Sequence, residues 1–215
     1  MNDKIYLHTI NNGHRGVYTS NKQLDVFEQI LKSGELQSLR IQGKPMHATF
    51  SGLDYISLAD YEKRFVSNKE MDHYNTFNSY TRDGISFVFP HDNIEVIEPT
   101  IIGICGLSRE GYDLMYQLGL SENERYSDLP DEVQVKDRLS LEKMSALTFP
   151  VESFLDSKFF RRKAKKLELI KREIEIIKEL LYKYNYSDIG IYDIDSLDII
   201  TDDYLEDRIM LTKTK

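Results

Sequence analysis

The chain has 215 residues, 40% of them hydrophobic and 30% charged, with a formal net charge of −8 at neutral pH. That size and balance fit a soluble globular chain with a sizeable core, and the acidic surplus excludes a general nucleic-acid coat protein. A single cysteine, Cys105, excludes an internal disulfide framework and a cysteine-based zinc site.

Residues 1–10, MNDKIYLHTI, lack the apolar run of a signal peptide, and no later stretch is long enough to span a membrane. The expectation is a cytoplasmic protein, or a delivered effector whose signal is not readable. Residues 5–10 read as a strand with Tyr6, His8 and Ile10 on one face and Ile5, Leu7 and Thr9 on the other. His8 in such an element is either a core histidine with a backbone partner or a site residue. Residues 11–20 are polar and glycine-punctuated, a loop in which His14 and Arg15 meet an anion or only solvent.

Leu24, Phe27, Ile30 and Leu31 fall at helical spacing over 23–32, and Ser33-Gly34 supplies the stop. A loose basic segment over 40–47, broken by Gly43 and Pro45, leads to a strand over 54–60. On it Tyr55, Ser57 and Ala59 face one way, and Ile56 and Leu58 the other. Residues 62–80 read as a helix followed by a loop, and 84–90, GISFVFP, as the clearest strand. Residues 94–104 are extended with breaks at Pro99 and Gly103, 111–118 are a short helix, and 121–130 a charged loop.

Residues 129–150, LPDEVQVKDRLSLEKMSALTFP, carry the next signal. Asp131 and Glu132 open an alternating run, Val133, Gln134, Val135, that reads as a half-buried strand with its polar residues outward. A carboxylate at the lip of a strand is held by the sheet yet can face a cleft; a solvated strand start is the other reading. Leu139 and Leu141 give a second short pattern, and 146–149 a last strand closing on Pro150. A long helix over 153–184 has Leu167, Ile170, Ile174, Ile177 and Leu181 on one face. The acidic tail after Tyr186 offers Leu197, Ile199 and Ile200 for docking. Two units follow, 1–152 as the main domain and 153–215 as a helical appendage with an acidic tail.

Taken in order, the YLHT strand, the helix LDVFEQILKSGEL, the strand YISLADY and DEVQVKDRLSLEKMSALTFP resemble the ADP-ribosyltransferase superfamily. The pattern is similar to bacterial DarT-like and related toxin or effector transferases. Ser57-Leu58-Ala59-Asp60 also resembles the strand end Tyr-Phe-Ala-Asp of poly-ADP-ribose polymerases, with Ser57 in place of the tyrosine. The resemblance, over residues 5–150, implies an α+β split-sheet core with flanking helices and a C-terminal helical appendage. It implies an NAD-dependent transfer of ADP-ribose with release of nicotinamide, a glycosyltransferase-class reaction needing no metal. Glu132 matches the catalytic glutamate, and Ser57 the middle-strand residue that supports it. His8 matches the first-strand residue that holds nicotinamide or its ribose, with Thr9, Tyr55 and Ser57 as further NAD-binding candidates. His8 and Ser57 are expected to face one cleft.

The chemistry is consistent with that assignment. Cleaving a glycosidic bond builds positive charge at the anomeric carbon, which a fixed carboxylate stabilises more than the ground state, where that carbon carries no such charge. Pro130, two residues before Glu132, departs from the Glu or Gln of many arginine-modifying members and leaves the acceptor open. The cluster Phe159, Phe160, Arg161, Arg162, Lys163, Lys165 and Lys166 suits phosphate contact and base stacking. It equally suits a solvated helix face pairing with Glu168, Glu173 and the acidic tail. A protein or small-molecule acceptor is therefore expected ahead of nucleic acid, with no membrane partner. Two alternatives stand beside the enzyme: an inactive binding module on the same fold, and a partner-binding protein acting through its C-terminal helix.

Overall fold

A computed structural model of the chain describes residues 4–10, 21–38, 40–43, 54–61, 84–97, 132–151 and 163–212. The expectations for 11–20, 44–50, 62–80, Pro99, Gly103, Cys105, 111–118, 121–131 and 153–162 lie outside these residues. The described elements, in chain order, are β1 (Ile5–Thr9), α1 (Asn21–Ser33), β2 (Glu35–Gln37), β3 (Tyr55–Asp60), β4 (Ser86–Pro90), β5 (Glu132–Lys136), β6 (Arg138–Ser140), β7 (Ala146–Phe149), α2 (Lys163–Lys183), β8 (Gly190–Asp193) and α3 (Asp202–Thr212).

Six strands form one sheet in the order β5-β3-β1-β4-β7-β8, and β2 and β6 form a separate two-stranded ribbon. Every pair in the large sheet is antiparallel except β7–β8. Joining two parallel neighbours takes a long crossover, and the 21-residue helix α2 lies in it. The chain is thus a mixed α+β protein with a mostly antiparallel sheet.

Alternation sets the two faces. Tyr6, Ile10, Ile56, Leu58, Phe87, Phe89, Val133 and Leu147 pack on α1 and α2 through Phe27, Leu31, Ile170, Ile177 and Leu181. Ile5, Leu7, Ala59, Val88 and Ala146 belong to the smaller cluster on the other face. The α1 stop is as expected: Gly34 takes φ +72°, and its N–H donates to the Ile30 carbonyl at 3.0 Å. Gly84 is required by close approach, because an added Cβ would lie 2.2 Å from the Ile10 carbonyl oxygen. The same carbonyl accepts from Gln23 Nε2 at 2.6 Å, tying α1 to the end of β1. Lys183 Nζ (2.6 Å) and Tyr184 Oη (3.0 Å) both donate to Glu28 Oε1, joining α2 to α1.

Beyond 153 the chain enters the main sheet, since β8 is its sixth strand. Residues 198–200 pair with the outer edge of β8: the Asp193 N–H donates to the Asp198 carbonyl and the Ile200 N–H to the Ile191 carbonyl, both at 2.9 Å. Of the expected docking residues, Ile200 is buried and Leu197 packs on the smaller cluster, while Ile199 is half exposed. A polar clasp holds α3 there. The fully buried Asp193 carboxylate accepts from Tyr204 Oη and from the Asp195 N–H (3.2 Å), with Arg208 Nη2 at 3.7 Å. Tyr204 also bonds Ser196 Oγ (3.1 Å) and accepts from Arg208 Nε (2.9 Å). Burial and the Asp193 carboxylate push the Tyr204 phenol up to about 12.

Two readings of α2 need correction. Lys166 and Glu173 are both only 6% exposed, so neither belongs to a solvated charged face. They share the inward stripe with Ile170, Ile177 and Leu181, at steps of three and four residues. Glu173 therefore does not pair with the basic cluster, and burial pushes its carboxyl up to about 7. Among the described residues no helix is long and apolar enough to cross a membrane.

Candidate functional site

The resemblance places its candidates on β1, β3 and β5, and these are consecutive in the sheet. The seam between β1 and β3 is short. It holds two residue pairs, Tyr6↔Asp60 and Leu7↔Ala59, whereas β1 and β4 run together for five. Two histidines bracket it. At one end His91 stacks on Tyr6, with ring centroids 4.1 Å apart, and its Nε2 lies 3.7 Å from Asp60 Oδ1. At the other end, where the backbone pairing stops, His8 Nδ1 donates to the Ser57 carbonyl at 3.0 Å.

A carbonyl can only accept, so that bond puts the proton on Nδ1 and leaves Nε2 as an acceptor in the neutral ring. Burial pushes the His8 imidazole below its ordinary value, opposed by the bond to Ser57. His8 is half-buried and borders a cavity of about 560 Å³ against α1 and β2, lined also by Gln29, Ser33, Glu35, Gln37 and Gln42. Glu35 is held there by Arg138 and by Gln37 Nε2 at 2.7 Å. The cavity thus offers carboxamides, a hydroxyl and a neutral imidazole, suited to reading polar uncharged groups.

One expectation fails on register. Continuing the β1–β3 pairing brings Thr9, not His8, across from Ser57. His8 shares the helix-packed face with Leu58, while the Ser57 side chain is exposed on the opposite face. His8 and Ser57 do not face one cleft; what joins them is the Ser57 backbone carbonyl. A one-residue difference in register moves a side chain through the sheet, and the strand patterns by themselves do not specify it.

The second face holds an arrangement the sequence did not announce. Register carries Gln134 to Ser57, Thr9 to Ser86, Ser86 to Thr148 and Thr148 to Tyr192, a polar row crossing all six strands. The adjacent row runs from Glu132 at the start of β5 through the apolar Ala59, Leu7, Val88 and Ala146. Ser86, Thr148 and Gln134 are buried, Thr9 is half-buried and Ser57 is exposed, so the row opens at the point where the seam ends. Gln134 was expected to face solvent. It is 2% exposed, and its backbone N–H and C=O both bond Ile97 at 2.9 Å along the outer edge of β5.

Glu132 is the first residue of β5 and stands opposite Ala59 in register, one side-chain step along from the Ser57–Gln134 pair. Tyr55 is half-buried and stands opposite Lys136 at the far end of the same strand pair. Ser86 and Gln134 were missed as candidates because a serine or glutamine inside an alternating strand reads as an outward residue. Among the described residues no group of three or more acidic, histidine or cysteine side chains is placed to hold a metal ion. Comparison with protein-family models, with curated proteins and with solved structures finds no match to the chain.

Proposed function

We propose that the chain is an NAD-dependent ADP-ribosyltransferase, with a split-sheet core of that superfamily's kind, releasing nicotinamide as ADP-ribose passes to a protein or small-molecule acceptor. One observation carries the reading. Thr9, Ser57 and Glu132, spread over 124 positions of the sequence, fall by register on one face of three neighbouring strands beside the end of the β1–β3 pairing, and His8 bonds the Ser57 carbonyl from the other face. The Thr9 and Ser57 hydroxyls on that face, with the His8 imidazole and the Gln29, Gln37 and Gln42 carboxamides on the other, are groups that bind a dinucleotide's sugars and amide through many weak hydrogen bonds.

In this scheme Glu132 stabilises the positive charge that develops at the anomeric carbon as nicotinamide leaves. His8, on the helix-packed face, acts through its bond to the Ser57 carbonyl, which holds the end of β3 against β1. The test is incubation with NAD labelled in its adenosine half, following free nicotinamide and labelled macromolecule or small acceptor separately. Nicotinamide release that is lost in Glu132→Gln supports the reading; no release under any condition sinks it.

A second reading has its own observation. The side chains of His8 and Ser57 lie on opposite faces, which favours a binding module on the same fold that no longer turns over. NAD binding without nicotinamide release is its expected result.

A further inference from the structure

We infer that Ser86 is a positioning residue for the donor nucleotide, acting through Thr9. The inference rests on the transferase reading and adds to it a residue that no sequence pattern marks.

Thr9 Oγ1 and Ser86 Oγ lie 2.8 Å apart, so one hydroxyl donates to the other. Which one donates follows from their surroundings. Ser86 is fully buried at the centre of the sheet, and its neighbour across β7, Thr148, has an Oγ1 with no partner. Ser86 therefore has Thr9 as its side-chain partner and no second acceptor. If Thr9 donated, the Ser86 proton would be left unsatisfied inside the protein, which costs free energy. The favoured arrangement has Ser86 donating to Thr9 Oγ1.

That choice fixes the direction of the Thr9 hydroxyl. With its oxygen occupied as an acceptor from Ser86, the Thr9 O–H is free to donate, and Thr9 is half-buried at the end of the β1–β3 seam. The pair presents one oriented donor to an acceptor oxygen of the nucleotide. An isolated threonine at the same place would turn freely between donor and acceptor roles. Preorganising the donor lowers the cost of ordering it on binding.

Steady-state nicotinamide release against NAD concentration tests this on the full chain. Ser86→Ala and Thr9→Val each raise KM for NAD about three- to tenfold with kcat unchanged, the effect of one neutral hydrogen bond. The double variant goes no further than Thr9→Val alone, because Ser86 acts only by orienting the hydroxyl that Thr9→Val removes. Thr9→Ser keeps the hydroxyl and restores the wild-type KM. Thr148→Val serves as the buried-hydroxyl control and leaves KM unchanged. An active wild type whose KM ignores Ser86→Ala, even with a lowered Tm, overturns the inference and leaves the transferase reading standing. Additive rises in the double variant also overturn it. A wild type that releases no nicotinamide removes both.

Discussion

The clasp at Asp193 and the polar row at the end of the β1–β3 seam both put polar side chains inside the sheet, and they satisfy them differently. Asp193 is fully buried and receives Tyr204, the Asp195 N–H and Arg208, and Tyr204 in turn is bonded to Ser196 and Arg208. The seam is less complete. Its backbone pairing ends after two residue pairs, a histidine side chain bonds the next carbonyl, and the Ser57 side chain is exposed beside it. A closed network fixes a structure, whereas an incomplete one at an opening keeps hydrogen-bonding capacity for something else. The contrast makes the clasp structural and the seam the place to look for function.

The largest expected effect breaks the clasp. Asp193→Ala leaves Tyr204 and Arg208 without their common acceptor in a buried place, and should lower unfolding stability by about 4 kcal/mol. Denaturant unfolding measures it. If the contrast holds, NAD turnover per folded molecule is unchanged. A loss of turnover in the fraction that remains folded would join the two regions functionally and break the comparison.

Next comes the seam. Glu132→Gln should slow nicotinamide release about a hundredfold or more, equivalent to about 2.7 kcal/mol in the transition state. NAD binding, measured by calorimetry, should change little, because the positive charge moves from the nicotinamide ring onto the ribose only as the bond breaks. Stability should also be nearly unaffected. A variant that cleaves NAD normally would take the catalytic assignment away from Glu132.

Glu173 is a third buried polar group, and it differs from the other two in responding to pH near neutrality. Its folded-state value of about 7 lies above the ordinary 4.5, so the folded protein holds this proton more tightly than the unfolded chain. The sign is therefore unfavourable on the alkaline side. Stability tied to the protonated carboxyl is fully present below about pH 4.5 and is lost as pH rises through 7. Glu173→Gln should be roughly 2 kcal/mol more stable than the wild type at pH 8 and nearly equal to it at pH 4.5. A difference that does not change with pH would mean that Glu173 ionises as freely in the fold as out of it.

Much of the fold is written in local pattern. Alternation located β1, β4, β5 and β7, and the spacing of Leu24, Phe27, Ile30 and Leu31 located α1 with its glycine stop. What local pattern does not carry is pairing. Strand β8 hides in an acidic tail because Gly190–Asp193 has only one fully buried apolar side chain, Ile191, and its partner β7 lies forty residues earlier. The same limit shaped the site. His8 and Ser57 are expected to face one cleft, but register puts Thr9 beside Ser57 and His8 on the opposite face. Lys166 and Glu173 were misjudged for a related reason. Charge suggests solvent, but both stand three or four residues from Ile170 and are buried beside it.

The smallest expected effect concerns the link between α1 and α2. The bonds from Lys183 and Tyr184 hold the Glu28 carboxyl below its ordinary value of 4.5, Lys183 being the larger cause. Here the sign is opposite to that of Glu173. A depressed carboxyl contributes stability above its unfolded value, and that contribution disappears as pH falls through the folded one. Glu28→Gln should therefore be slightly less stable than the wild type at pH 7 and indistinguishable from it in strong acid. The pair is also solvent-facing, with Lys183 59% and Glu28 36% exposed in their side chains, so salt should screen most of the difference. Thermal unfolding of both proteins at low and at molar salt, at pH 7 and in acid, checks each part. A difference that survives molar salt at pH 7 would show that the Tyr184 bond, which carries no charge, holds the helices together more than Lys183 does.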